Sequence, residues 1–296
     1  MTRLLVVTAD DLGLTAGVNR AVRRAHLEGV VTATSLLAVG RAFDDAAAML
    51  RATPTLEAGA HLAVVGEDPP LLTAREVPTL VDRRGAFPLS YRTVVARGLA
   101  GRIDPDDLRR ELGAQLDRVL GVGVPVTHVD THQHTHLWPA VAAVVTELAL
   151  ARDVPVVRLP RSRAHGVVGL GVRTLTEVTA RRLRRAGLTS TEDYAGLDEA
   201  GALDAARFTA TVRSLAARGR PSAELNAHPG EAGDGELGRF AWGYRWADEL
   251  AALVDPATRS AVAAAGYELG GFTALAPPGA PGTGTARATT DEGTPS

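Results

Sequence analysis

Short runs of apolar residues alternate along this chain with stretches whose apolar positions recur at helical spacing. Leu4–Thr8, Thr34–Val39, Glu57–Leu62, Val126–Val129, Val154–Leu159, Ala223–Ala227 and Tyr267–Phe272 read as strands. The segments 15–28, 42–52, 104–120, 139–152, 172–186, 201–218 and 246–265 read as helices. In the first helix Val18, Ala21, Val22 and Ala25 share one face behind Thr15, a favoured capping residue. Pro139 stands where a helix would begin. Continuous apolar strands separated by helices predict a parallel sheet covered on both faces. About seven such units predict an α/β fold, a (β/α) barrel of irregular form, although periodicity alone does not separate a closed from an open sheet. Two segments interrupt the alternation. Residues 63–103, containing GEDPP and DRRGAF, read as an insertion on the substrate side. Residues 276–296, rich in Pro, Gly and Thr, read as a disordered tail. The expected organisation is one barrel domain over 1–275 followed by that tail.

Composition narrows the class. The net charge is −2 and the isoelectric point about 6.5, so no strong field favours nucleic acid. The arginine run RRLRR at 181–185 reads as a solvated helix face. The absence of cysteine excludes disulfides and thiolate metal sites. No basic, apolar leader precedes the first strand and no apolar run reaches 18 residues, so the expectation is a cytoplasmic enzyme without membrane insertion.

In parallel α/β folds, reactive groups collect at the carboxyl ends of strands. The unusual polar residues fall at such places. Asp10 and Asp11 end the first strand, His61 the third, and THVDTHQHTHLWP (127–139) follows the fourth; Arg158 ends the fifth and His228 the sixth. His128, Asp130, His132, His134 and His136 would span ~26 Å if extended, at ~3.3 Å per residue. Ligands lie about 2.1 Å from a metal, so these five cannot all hold one ion. His132, just past the strand end, ranks first as a ligand, with His136 as its rival. Two adjacent carboxylates in a low-dielectric pocket repel unless a cation intervenes. A divalent metal would let one acid ligate while the other stays free as a base. A turn at Leu12–Gly13 is expected to bring both to the rim. Trp138, Trp242 and Trp246 read as core or pocket wall.

The stretches TADDLGLTAGVNRAV, TSLLAVGRAFDDAA, GAHLAV, THVDTHQHTHLWPAV, VVRLP and NAHPGE lie in the order and spacing of the YdjC-like carbohydrate deacetylases, and the chain resembles that family over about 1–275. The resemblance implies a deformed (β/α) barrel related to polysaccharide deacetylases. It implies hydrolysis of N-acetyl groups on a chitooligosaccharide or N-acetylglucosaminyl conjugate, with one divalent metal ion, Mg2+ or Zn2+. Carried onto this sequence, the metal ligands are Asp11, His61 and His132, and Asp10 is the general base. Arg158 would orient or tune Asp10, and His228 would act as general acid or oxyanion partner. His128, Asp130, His134 and His136 would support the ligands or face substrate. Self-association is compatible with the resemblance. The stretch HLAVVGEDPPLL departs from the family's usual leucine after HL, which leaves the sugar unassigned. Two other readings remain. One is an amidohydrolase or phosphoesterase barrel, which would carry His-x-His on its first strand where this chain has Asp-Asp. The other is a sugar- or metal-binding module that has lost catalysis.

Overall fold

The computed structural model describes residues 3–275, so the tail at 276–296 lies outside the described residues. Eight strands form one parallel sheet: β1 (Arg3–Leu12), β2 (Ala33–Leu37), β3 (Glu57–Leu62), β4 (Val126–Thr131), β5 (Val156–Val157), β6 (Asp193–Ala195), β7 (Ser222–Ala227) and β8 (Tyr267–Leu269). Seven of them follow the order β5-β4-β3-β2-β1-β7-β6, and β8 pairs with the first residues of β1. A parallel bridge between Val156 and Thr189 draws the chain before β6 alongside β5, so the curled sheet nearly meets itself. The result is a deformed (β/α) barrel.

The helices are α1 (Ala16–Leu27), α2 (Phe43–Arg51), α3 (Tyr91–Leu99), α4 (Pro105–Leu120), α5 (Pro139–Ala151), α6 (Gly166–Ala186), α7 (Ala205–Ala217), α8 (Trp246–Val254) and α9 (Pro256–Ala264). Thr15 caps α1 by accepting from the Val18 N–H, and Pro139 opens α5 as expected. Four elements depart from the sequence reading. The short strand β6 was not expected, because its Asp193 and Tyr194 look too polar to bury. Helix α3 lies within the 63–103 insertion, capped by Ser90, and buries only Val94 of its nine residues, so it shows no apolar stripe. The single helix expected over 246–265 is two, because Asp255 caps a new helix with Pro256 in its first turn. The strand expected over Val154–Leu159 shrinks to two paired residues, since Pro155 and Pro160 cannot donate to a ladder. His228 therefore follows the seventh strand rather than the sixth.

The two faces of β1 show how the barrel is filled. Leu5, Val7 and Ala9 join the large apolar layer under the helices. Val6, on the other face, packs with Ala33, Val156 and Phe272 as a separate plug inside the barrel. Above this plug the interior turns polar: Thr8, Glu224, Ser35, His128, Asp130 and Arg158 are all fully buried. Gly59 leaves room for this, since a Cβ there would lie 2.3 Å from the His128 ring. Arg181, Arg182, Arg184 and Arg185 are exposed, as expected for the arginine run. Among the described residues no helix is long and apolar enough to cross a membrane.

Candidate active site

Asp10 and Asp11 reach the same rim because Asp11 itself takes a left-handed backbone, φ 64°. Pairing with β2 slips between Ala9 and Leu12, so the strand carries a bulge at the two acids. Asp is among the few residues that tolerate this region. The turn thus sits one residue before the Leu12–Gly13 step that the sequence suggested. Both carboxylates line a cavity of about 590 Å³ together with His61, His132 and His228.

On one side of this cavity three donors converge. His132 Nδ1 lies 3.0 Å from Asp11 Oδ1, His61 Nε2 lies 3.3 Å from the same oxygen, and the two nitrogens are 3.4 Å apart. Ligands bound at about 2.1 Å stand ~3.0 Å apart at a right angle and ~3.4 Å apart in a tetrahedron. The spacing therefore fits a shared cation, and one carboxylate with two imidazoles is a donor set suited to a divalent ion. Burial pushes the Asp11 carboxyl up, but the charge and hydrogen bonds of His132 and His61 hold it well below the usual range. Burial lowers His61, yet the Asp130 charge and the hydrogen bonds to Asp11 and Asp130 carry it up to about 10. That raised value marks a point where positive charge is wanted, which a proton or a metal can supply.

The support behind His61 is Asp130, whose Oδ1 takes the Nδ1 of His61 at 2.8 Å. This fixes the ring so that Nε2 faces Asp11, the arrangement typical of metal-ligating histidines. Asp130 is paired in turn with the Arg158 guanidinium and accepts from the Ser35 hydroxyl at 2.9 Å. Despite burial, the charges of Arg158 and His61 hold its carboxyl far below the usual range.

Asp10 belongs to the other side. Arg158 NH1 and NH2 each donate to it at 2.7 Å, a bidentate clamp, and Asn226 Nδ2 donates to its Oδ2 at 2.8 Å. His228 Nε2 stands 4.0 Å from Asp10 Oδ2. The His228 backbone N–H donates to Glu249 Oε2 at 2.5 Å, and Tyr244 meets its ring edge-on at 4.9 Å between centroids. Arg158 is completely buried and also donates through Nε to Glu224 at 2.7 Å, so one cation serves three carboxylates. Its own protonation is secured, since these three charges outweigh burial.

The other histidines of the 128–136 stretch do not join the three donors. His128 lies deep inside the barrel, between Ser35 and Thr127 and stacked on Phe272, and burial depresses it to about 3. His136, the rival, bonds Thr131 Oγ1 and the Arg158 carbonyl through its two ring nitrogens and stands apart from the three donors, and burial holds it near 4. The chain after β4 is not extended: residues 132–137 form a 3₁₀ turn with Gln133 and His134 at φ 51°. That turn aims His132 at the donors and His134 into the cavity, 3.2 Å from the Tyr194 hydroxyl. Gln133 fastens the insertion beside the cavity, accepting from the Tyr91 N–H and donating to the Leu89 carbonyl. Trp242 and Tyr244 form a wall of the cavity, with Trp242 5.1 Å from the His132 ring. Trp246 is buried behind them and Trp138 packs on the core. Sequence reasoning missed Asn226, Tyr194, Glu224, Glu249 and Ser35. Of these, Asn226 had the only usable signal, an amide two residues before His228 on the same strand end.

The YdjC-like protein family model matches residues 4–264. A chitooligosaccharide deacetylase of Citrobacter koseri is 31% identical, covering 92% of this chain and 99% of that relative. One of Enterobacter sp. is 29% identical over 93% of this chain and all of its own length. A carbohydrate deacetylase of Brevibacillus brevis is 36% identical, but that match spans 51% of this chain and 58% of the relative. Among solved structures, a putative cellobiose-phosphate cleavage protein of Enterococcus faecalis superposes with a TM-score of 0.79 at 22% identity, covering 94% of this chain, and it shares the fold.

Proposed function

This chain belongs to the YdjC-like protein family, and from that premise we propose that it is a metal-dependent carbohydrate N-deacetylase acting on an N-acetylated sugar such as a chitooligosaccharide. The observation that carries the reading is the division of two adjacent acids: Asp11 turns toward two imidazole nitrogens while Asp10 is clamped by Arg158. Asp11, His61 and His132 would hold the ion. When bound, a divalent ion supplies Lewis-acid polarisation of the acyl oxygen and lowers the pKa of water.

The remaining work falls to side chains. Among the described residues Asp10 Oδ1 takes one donor, the Arg158 NH2, and Asp10 lines the cavity. From there it can accept the proton of the water that attacks the acetyl carbon. Arg158 and Asn226 keep that carboxylate in one orientation throughout. His228, as imidazolium, donates its Nε2 proton to the sugar nitrogen as the C–N bond breaks, which turns a poor leaving group into an amine. Glu249 Oε2, which accepts from the His228 backbone N–H and stands 3.8 Å from its Nδ1, fixes where the ring sits. The Trp242 and Tyr244 rings offer apolar faces to a sugar ring.

The test is acetate release from N-acetylglucosamine oligomers, with and without chelator. Release that stops on chelation and returns with a divalent metal supports the reading. Sugar binding without acetate release would mean an inactive module, and chelator-insensitive release would remove the metal from the mechanism.

A further inference from the structure

A second cavity, of about 770 Å³, opens between α6 and the chain leading into β6 and β7, on different residues from the catalytic one. Its wall carries Arg161, Arg163, Arg173, Arg184, Arg218 and Arg220 against three acids, Glu177, Glu192 and Asp193. The catalytic reading uses none of these residues. The arginines are poorly matched by the carboxylates present. Arg163 and Arg218 share the single carboxylate of Asp193, which is 4% exposed. Among the described residues Arg184 and Arg220 meet no carboxylate within 4.0 Å. Burial and the nearby Arg218 charge lower Arg163 from its ordinary value, although Asp193, Glu199 and Asp198 pull the other way.

Three buried polar atoms at the same wall have no hydrogen-bond partner among the described residues: Arg161 Nε, Arg218 NH2 and Thr191 Oγ1. Thr191 is only 1% exposed. Buried polar groups are nearly always satisfied, and each exception calls for an explanation. An anion with several oxygens, seated against this wall, is a partner of the kind these donors lack. Leu159, Ala180, Leu183 and Leu188 form an apolar floor beside them, room for a carbon body. The geometry points to a second binding site here, for a small organic molecule bearing a phosphoryl or diphosphoryl group. Arginine forks match phosphoryl oxygens in pairs, and the excess of cations over acids suits more than one negative charge.

The test is titration calorimetry with inorganic pyrophosphate as the headgroup probe, on protein as purified and after chelation. The expected result is saturable binding with Kd below ~1 mM in both. Arg184→Gln/Arg220→Gln should weaken it at least about tenfold, while acetate release from N-acetylglucosamine oligomers stays unchanged. Thr191→Val keeps every charge and should also weaken binding several-fold. Binding that vanishes on chelation would place the anion at the catalytic cation and overturn the site. So would binding indifferent to Arg184→Gln/Arg220→Gln, or binding that Thr191→Val leaves intact, which would reveal only diffuse attraction to surface arginines. No binding at 10 mM pyrophosphate, about ten times the Kd expected, would end the proposal outright.

Discussion

Glu224→Gln should make the protein gain stability relative to wild type as the pH rises. Glu224 is fully buried on β7; its Oε1 accepts from Arg158 Nε and Thr8 Oγ1, and its Oε2 has no partner among the described residues. Burial raises its carboxyl and Arg158 opposes this, but the nearby charges of Asp10 and Asp130 reinforce burial. The group moves from an ordinary 4.5 up to about 7. Between those values the folded chain holds a proton that the unfolded chain has released, so wild-type stability falls as pH rises through this window. Each pH unit is worth about 1.4 kcal/mol, so the gap amounts to ~3 kcal/mol. Glutamine has the same shape and cannot ionise, so it lacks this slope. Other titrating groups, among them His128 and His136, are present in both proteins and cancel in the difference. The assay is urea denaturation of both proteins from pH 4.5 to 8, metal-saturated throughout. The variant should gain up to ~3 kcal/mol relative to wild type across that range. Parallel curves, or a relative gain by wild type, would refute the claim that Glu224 keeps its proton to higher pH in the folded chain than in the unfolded one.

Asp10→Asn should leave metal binding within a few-fold of wild type while kcat falls ~10²–10⁴-fold, as loss of a general base predicts. Metal titration and acetate release check the two halves separately, and near-wild-type turnover would remove Asp10 as base. His61→Ala should lose both. Asp130→Asn should weaken metal affinity ~10–100-fold, because it releases the ring that Asp130 orients without touching a ligand atom; competition with a chromogenic chelator reads it. Arg158→Met should cost ~3–5 kcal/mol in urea denaturation, since it strands three buried acidic side chains at once; a loss below about 1 kcal/mol would mean the guanidinium is not what holds them.

The parts legible in the sequence were those whose cause is local. Glu57–Leu62 reads as a strand from its own residues and is one. Thr15 and Pro139 announce helix starts because caps act within one turn. Asp10, Asp11, His61, His132, Arg158 and His228 were legible as rim candidates because each sits where a strand ends or just past it; the grouping of Asp11 with His61 and His132 came from the family resemblance, not from their positions. The missed parts depend on partners distant in the chain. Asp193 and Tyr194 are buried in β6 only because Arg163, Arg218 and Asn226 receive them. Asn226 reaches Asp10 because β7 pairs in register with β1, Thr8 beside Asn226, a contact spanning over two hundred residues. Glu249 comes from a helix, α8, whose spacing says only that the residue faces inward. The turn at 132–137 was hidden for another reason: two successive non-glycine residues, Gln133 and His134, take a left-handed backbone, which is uncommon outside glycine.

The left-handed residue at 11 has a practical consequence for anyone dissecting this centre. Its side chain and its backbone angle cannot be removed independently. Alanine there would delete a carboxylate and also pull the peptide toward ordinary strand geometry, swinging position 10 away from its guanidinium. An experimenter would then see two losses and credit both to one atom. Asparagine, which accepts the same twist, is the replacement that separates the carboxylate's chemistry from the architecture that aims its neighbour.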